Sequence, residues 1–253
     1  MSLRARAASA ILVLGLALCG SEGEVLSADM VFTPPTLTLT ARVRNASVVL
    51  TNRGQQPVRF EVRGLHWDQK TDGRMQLDPT DELLVFPALI TIPPGQDRTI
   101  RVADSGPPSS LERSFRLEIT EIPEFQPTPK LGASVNIRSQ FMLPVFYAPI
   151  DSRVAGVVSG ASLQHGKFSF AILNTGTVHF KLKGVDVIGL GSGGRKVFTH
   201  SLEGWYVLPG GERDYSIDLD GATCAATKAI TVSADAGSRL VQTIEVPSDA
   251  CRS

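Results

Sequence analysis

Two signals recur in both halves of this 253-residue chain and restrict what it can fold into. Asn52-Arg53-Gly54 and Asn174-Thr175-Gly176 each close a run of strand-forming residues, and Pro93-Pro94-Gly95 and Pro209-Gly210-Gly211 each lead into another. Glycine supplies positive φ, and proline fixes φ while withholding a ladder donor, so both signals are turns with a mechanism. Around them lie short β-rich runs at 37–43, 47–51, 58–67, 99–102, 114–122 and 135–146. After Tyr147-Ala148-Pro149 the pattern restarts, with runs at 167–173, 181–188, 196–200, 213–219, 229–233 and 239–246. No apolar stripe of 3.6-residue period reaches helical length. The spacing predicts an all-β chain of two sandwiches, roughly seven strands and on the order of 100 residues each, at 29–149 and 150–253.

Residues 1–28 read as a cleaved export signal. Arg4 and Arg6 precede an apolar run from Ala10 to Cys19 that is too short to span a bilayer. Leu26-Ser27-Ala28 then offers a small residue before Asp29, with Gly20 and Gly23 as alternative cleavage points. Lys+Arg and Asp+Glu number 25 each, and the signal carries two of each sign. The mature chain is therefore neutral, with no global field for nucleic acid or for insertion at an anionic membrane. Loss of the signal also removes Cys19. Cys224 and Cys251 are left as an even set in an oxidising compartment, so one disulfide is expected.

Several chemical motifs fail on context. Gly189-Leu190-Gly191-Ser192-Gly193-Gly194 matches a dinucleotide fingerprint, but Arg195-Lys196-Val197-Phe198-Thr199 continues as a strand where a helix N-terminus would have to hold the pyrophosphate. A glycine-rich hairpin is expected there. His66, His165, His179 and His200 stand singly, without metal-ligand spacing, and read as packing or surface residues. Asp81-Glu82 reads as a solvated turn, and no nucleophile elbow is present, so the reading is not an enzyme, with no catalytic residues, no metal and no cofactor. The run 135–146 is long and alternating. Val135, Ile137, Ser139, Phe141, Leu143 and Val145 share one face, and Asn136, Arg138, Gln140 and Met142 the other. Such a strand is either buried in its own sheet or a template for a partner's strand; on base rates the first is the default.

In order along the chain, Asn52-Arg53-Gly54, Trp67-Asp68-Gln69, Pro79-Thr80-Asp81-Glu82-Leu83-Leu84-Val85-Phe86-Pro87, Ile92-Pro93-Pro94-Gly95, Ile100-Arg101-Val102, Glu112-Arg113-Ser114-Phe115-Arg116-Leu117, Glu121-Ile122-Pro123 and Leu143-Pro144-Val145-Phe146 resemble the N-terminal domain of periplasmic pilus-assembly chaperones of the chaperone-usher pathway. The resemblance covers about 29–150. It implies two immunoglobulin-like sandwiches in a boomerang, located in the periplasm. It also implies pilin subunits and an outer-membrane usher as partners, and donation of the last N-terminal-domain strand to an incomplete pilin. That is β-augmentation, in which main-chain bonds pair and alternating side chains fill pockets. It turns the reading of 135–146 towards a donor strand, with Val135, Ile137, Phe141 and Leu143 as the pocket-filling set. The exposed edge also invites self-association of the free form.

Two departures accompany the resemblance. The family's best-studied branch clamps the pilin's terminal carboxylate with an Arg and a Lys, and the matching positions here are Thr36 and Pro144. Some other cation must replace them, because a lone buried carboxylate is costly. Arg116 and Arg138 are the candidates from strand phase, with Arg101 third. The family's interdomain Glu is retained as Glu112, while its Arg partner is replaced by Ala148. Both departures, with the wording around Thr80-Asp81-Glu82, resemble the archaic branch. A competing reading is a secreted two-sandwich structural or adhesive surface protein; that class should carry an incomplete sandwich or a donor extension, and 29–35 offers little.

Overall fold

The computed structural model describes residues 29–123, 138–247 and 249–251. The expected signal at 1–28, together with Val135 and Ile137, lies outside the described residues. The first half holds β1 (Met30–Thr33), β2 (Leu37–Thr40), β3 (Asn45–Asn52), β4 (Val58–Gln69), β5 (Met75–Pro79), β6 (Leu83–Phe86), β7 (Leu89–Ile92), β8 (Asp97–Asp104), β9 (Arg113–Glu121) and β10 (Gln140–Ala148). The second holds β11 (Gly156–Gln164), β12 (Lys167–Asn174), β13 (Phe180–Lys181), β14 (Gly184–Leu190), β15 (Lys196–Glu203), β16 (Tyr206–Val207), β17 (Glu212–Asp218), a short helix α1 (Gly221–Ala226), β18 (Ala229–Asp235) and β19 (Arg239–Glu245). The chain is all-β, as the turn grammar predicts.

In the first half, a sheet ordered β1-β3-β8-β6 packs on one ordered β2-β10-β9-β4-β5, with β7 also on β4. Residues 34–36, beginning Pro34-Pro35, let the chain leave one sheet after β1 and join the other as β2. Leu39, Leu50, Phe60, Ile92, Ile100, Phe115 and Leu117 fill the space between, each supplied by strand alternation. In the second half, β11-β12-β17, the short pair β13-β16 and β15-β14-β18-β19 enclose Phe168, Ile172, Val187, Val207 and Ile230. The glycine-rich stretch is the tip of the β14–β15 hairpin, where Gly193 and Gly194 take positive φ. Cys224 of α1 is bonded to Cys251, tying the helix to the chain's end.

The two recurring sequence signals meet in space. Asn52 is fully buried; its Nδ2 donates to the carbonyls of Gln56 (2.8 Å) and Ile92 (2.9 Å), and its Oδ1 accepts from Gly54 N–H (2.9 Å). Asn174 repeats this with the carbonyls of Val178 (3.0 Å) and Val207 (2.8 Å) and with Gly176 N–H (2.8 Å). The proline-glycine turn then docks on the same residue, Gly95 N–H donating to Asn52 O at 2.8 Å and Gly210 N–H to Asn174 O at 3.1 Å. Both glycines sit at positive φ, 66° and 71°, which is why this position is glycine twice. Each sandwich thus closes one end on a buried amide that saturates three backbone groups.

The halves are joined by a polar latch beside an aromatic seam. Glu112, on the link into β9, accepts from the backbone N–H of His179 (3.0 Å), and His179 Nδ1 lies 2.7 Å from the same Oε1. An ionised carboxylate has no proton to give, so Nδ1 carries the hydrogen. The His179 ring stacks on Phe146 at 3.6 Å between centroids, and Glu112 N–H donates to Thr177 O. His179 therefore partners Glu112 from the other half, rather than being a plain packing or surface residue. Nearby, Glu82 binds Arg113 at 2.8 Å and is not merely part of a solvated turn; Arg113 in turn reaches the buried Asp104 at 2.6 Å.

Asn52→Ala or Asn174→Ala leaves buried carbonyls and an N–H unpaired, and should lower stability in urea unfolding by about 2–4 kcal/mol. His179→Phe keeps the stack on Phe146 but removes the donor to a carboxylate that is 3% exposed. It should cost about 1–3 kcal/mol in the same measurement, while a solvent-exposed histidine such as His200 should tolerate the change.

Candidate functional site

β9 is the most buried strand of the first half, on both faces. Phe115, Leu117 and Ile119 point into the sandwich core. Ser114, Arg116, Glu118 and Thr120 point the other way and are still buried, because the second half and long neighbouring side chains cover them. Arg116 is 4% exposed. Its guanidinium carbon lies 3.7 Å from the centre of the Trp67 ring and 5.6 Å from that of Tyr206, so it is held between an aromatic of each half. Trp67, Phe146 and Leu208 form the buried seam around it, with Tyr206 packed alongside. Gln69 fixes that seam from β4: its Nε2 donates to Tyr206 O at 2.6 Å, and its Oε1 accepts from Leu208 N–H at 3.3 Å.

The hydrogen bonding of Arg116 is incomplete. Nη1 donates to Met142 O at 3.4 Å, while Nε and Nη2 are buried with no partner in the protein. Those two N–H groups form the side-on fork that matches a carboxylate bidentately. The indole N–H of Trp67 and the hydroxyl of Ser114 are also buried and unpartnered. Burial pushes the Arg116 pKa down to about 10, still far above neutral, so the fork stays charged. A group of unpaired donors around a fixed cation is suited to an anion.

Arg116 is directly opposed across the β9–β10 ladder by Pro144, one of the two positions where the resemblance would place a clamp cation. Arg116 is thus a cation one strand inward from that position, on the same face. β2 pairs with β10 only from Val145 to Ala148, in parallel, so among the described residues Gln140 to Pro144 have a strand partner on one side alone. Pro144 has no N–H to offer and stands where that free edge ends.

The other candidates fall elsewhere. Arg138 is exposed just before β10 begins, and its Nε donates to Glu121 O at 2.8 Å, away from the mid-strand pair Pro144 and Arg116. Arg101 is exposed on β8 in the other sheet, opposite Phe86 of β6 and Ser47 of β3. Strand phase assigns a face, but neither a position along the strand nor a sheet, and only Arg116 reaches the seam. Phe141 and Leu143 correct the pocket-filling set. Leu143 is in the core, and Phe141 packs on Phe32 (4.7 Å between centroids) and Phe60 (6.1 Å), because their parity turns them between this protein's own sheets. On the outer face, Glu118 is held by Arg63 and by Gln140 Nε2 at 2.6 Å.

No curated protein matches the chain in sequence. Solved structures match its fold. The chaperone–tip adhesion subunit complex of CsuC and CsuE, from the archaic Csu pili of Acinetobacter baumannii, matches with a TM-score of 0.60 at 18% identity, over 86% of this chain and 98% of that one. The SafA pilin–SafB chaperone complex of Salmonella enterica gives 0.54 at 15%, over 87% and 98%. The Pseudomonas aeruginosa CupB2 chaperone gives 0.52 at 17%, over 86% and 100%. At these identities the likeness is one of fold. The family described as pili and flagellar-assembly chaperone, PapD N-terminal domain, matches residues 29–152, which contain β9, β10 and Arg116. Residues 29–152 thus belong to the pilus-assembly chaperone family as its N-terminal domain.

Proposed function

We propose that this chaperone binds pilin subunits by strand addition along β10 and anchors their terminal carboxylate on Arg116. The observation that carries this reading is the unpaired, buried side-on fork of Arg116, set where the one-sided edge Gln140 to Pro144 runs out. A strand added to that edge must stop where β2 takes over the pairing at Val145, so its end arrives beside Pro144, across the ladder from the fork. Val135 and Ile137 precede β10 and its core contacts in sequence, and we propose this pair of the apolar set as the side chains that fill the subunit's pockets.

The same reading makes residues 1–28 a cleaved signal, 29–149 and 150–253 the two domains, and the periplasm the place of action. The loaded subunit is then delivered to an outer-membrane usher without ATP or a cofactor, on the folding energy the subunit still holds. Thr36 and Pro144 at the clamp positions support a reading of the chain as similar to the archaic branch.

Co-expression with pilin subunits secreted beside it provides the test. Arg116→Met should weaken subunit retention by about 10- to 100-fold, the equivalent of one charge-assisted hydrogen bond, while the free protein melts no lower than wild type. Ile137→Asp should abolish retention at an unchanged melting temperature, whereas Phe141→Asp should unfold the first half. Undiminished retention by Arg116→Met would remove it as the anchor.

A further inference from the structure

Across the seam from Arg116, the second half presents another cation. β13 and β16 pair with Phe180 opposite Val207 and Lys181 opposite Tyr206. Phe180 and Val207 are buried in the second core, so Lys181 and Tyr206 share the outer face. On that face Tyr206 meets Trp67 at 5.4 Å and Phe146 at 5.9 Å between ring centroids. Lys181 Nζ lies 5.4 Å from the centre of the Tyr206 ring, and Arg116 Cζ lies 5.6 Å from it. Together the two distances bound the separation of the cationic centres at about 11 Å.

Lys181 is exposed and pairs with no carboxylate among the described residues, whereas Lys183, two residues on, is bound to Asp235 at 3.0 Å. Two positive groups therefore flank one aromatic ring, one buried with an open fork and one exposed with a mobile stem. Because Arg116 is covered, an anion approaching it from solvent must first give up water at the rim. A cation there offsets that desolvation before the fork is reached.

We infer that Lys181 is a second cation of the carboxylate site: it receives the subunit's terminal carboxylate at the mouth of the cleft, ahead of Arg116. This rests on the chaperone reading above. It makes the anchor a property of both halves, so the second half contributes recognition and not only packing. Lysine suits the entry position, since its ammonium is a compact charge on a four-carbon stem that can follow the ligand inward.

The test uses the full chain and a co-expressed pilin subunit that the wild-type chain retains. A second form of that subunit, with three glycines added at its C-terminus, carries the carboxylate away from the cleft. Lys181→Met should raise the dissociation constant for the native end by about fivefold to tenfold, and Lys181→Arg should restore it. For the extended end, Lys181→Met should make no difference, since the group it recognises has moved. Equal affinity of Lys181→Met and wild type for the native end would overturn the inference and leave the chaperone reading standing. So would an equal loss for both ends, which would place Lys181 against some other part of the subunit. If the wild-type chain retained no subunit, the chaperone reading and this inference would fall together.

Discussion

A guanidinium buried between two sandwiches with two of its three nitrogens unpaired is the constraint around which the junction is organised. Burial lowers the Arg116 pKa to about 10, so the folded protein holds this proton less tightly than the unfolded chain does. The sign follows: the charge disfavours the folded state at every pH below about 10, and the penalty fades only as pH rises from there towards the unfolded value. At neutral pH it is fully present. Stacking on Trp67 offsets part of it, but an aromatic face cannot replace the hydrogen bonds that Nε and Nη2 lack. A destabilising group kept in place by Trp67, Phe146, Leu208, Gln69 and the Glu112–His179 latch is what a binding site looks like before its ligand arrives.

The latch and the site are one construction. His179 binds Glu112 through its edge and lies flat on Phe146, and Phe146 follows Pro144 by two residues on the same face of β10. The contact that sets one half against the other therefore ends on the strand whose edge is open to a partner. Any ligand that moves Phe146 must work against a carboxylate held by two N–H donors, which ties occupancy of the cleft to the relative placement of the halves.

Much of the fold was legible because the two turn signals are themselves structural parts. Asn-x-Gly and Pro-x-Gly pack on one another in each sandwich, so reading them as paired punctuation located a real element of the core edge. The strands that escaped the sequence reading, such as Met75–Pro79, Leu83–Phe86 and Gly156–Gln164, are short, half exposed or interrupted. Leu84 and Phe86 face solvent, and β11 carries a register shift between Ser159 and Ser162. Alternation fails as a signal where neither face is cleanly buried. At the site, parity identified Arg116 as a cation on the face away from the core, and no more was available from one strand. The aromatic cover comes from Tyr206 and the partner of Glu112 is His179, both from the other half, and single-strand patterns carry no trace of such long-range contacts.

Strand addition and a charged anchor answer different physical problems. Main-chain pairing along Gln140 to Pro144 is nearly indifferent to sequence and leaves a guest strand free to slide. A slip of one residue would turn every guest side chain to the wrong face. The terminal α-carboxylate is present once per chain, at its end, and a fork that donates to it bidentately fixes that end in position and orientation. Here the fork lies where β2 closes the edge, so the backbone stop and the proposed charge anchor coincide. A cation at Arg116, opposed to Pro144, keeps that coincidence, and there Trp67 and Tyr206 grip the guanidinium from both halves. On the proposed reading, the register of a guest strand would be set at one point, and the rest of the edge could remain general.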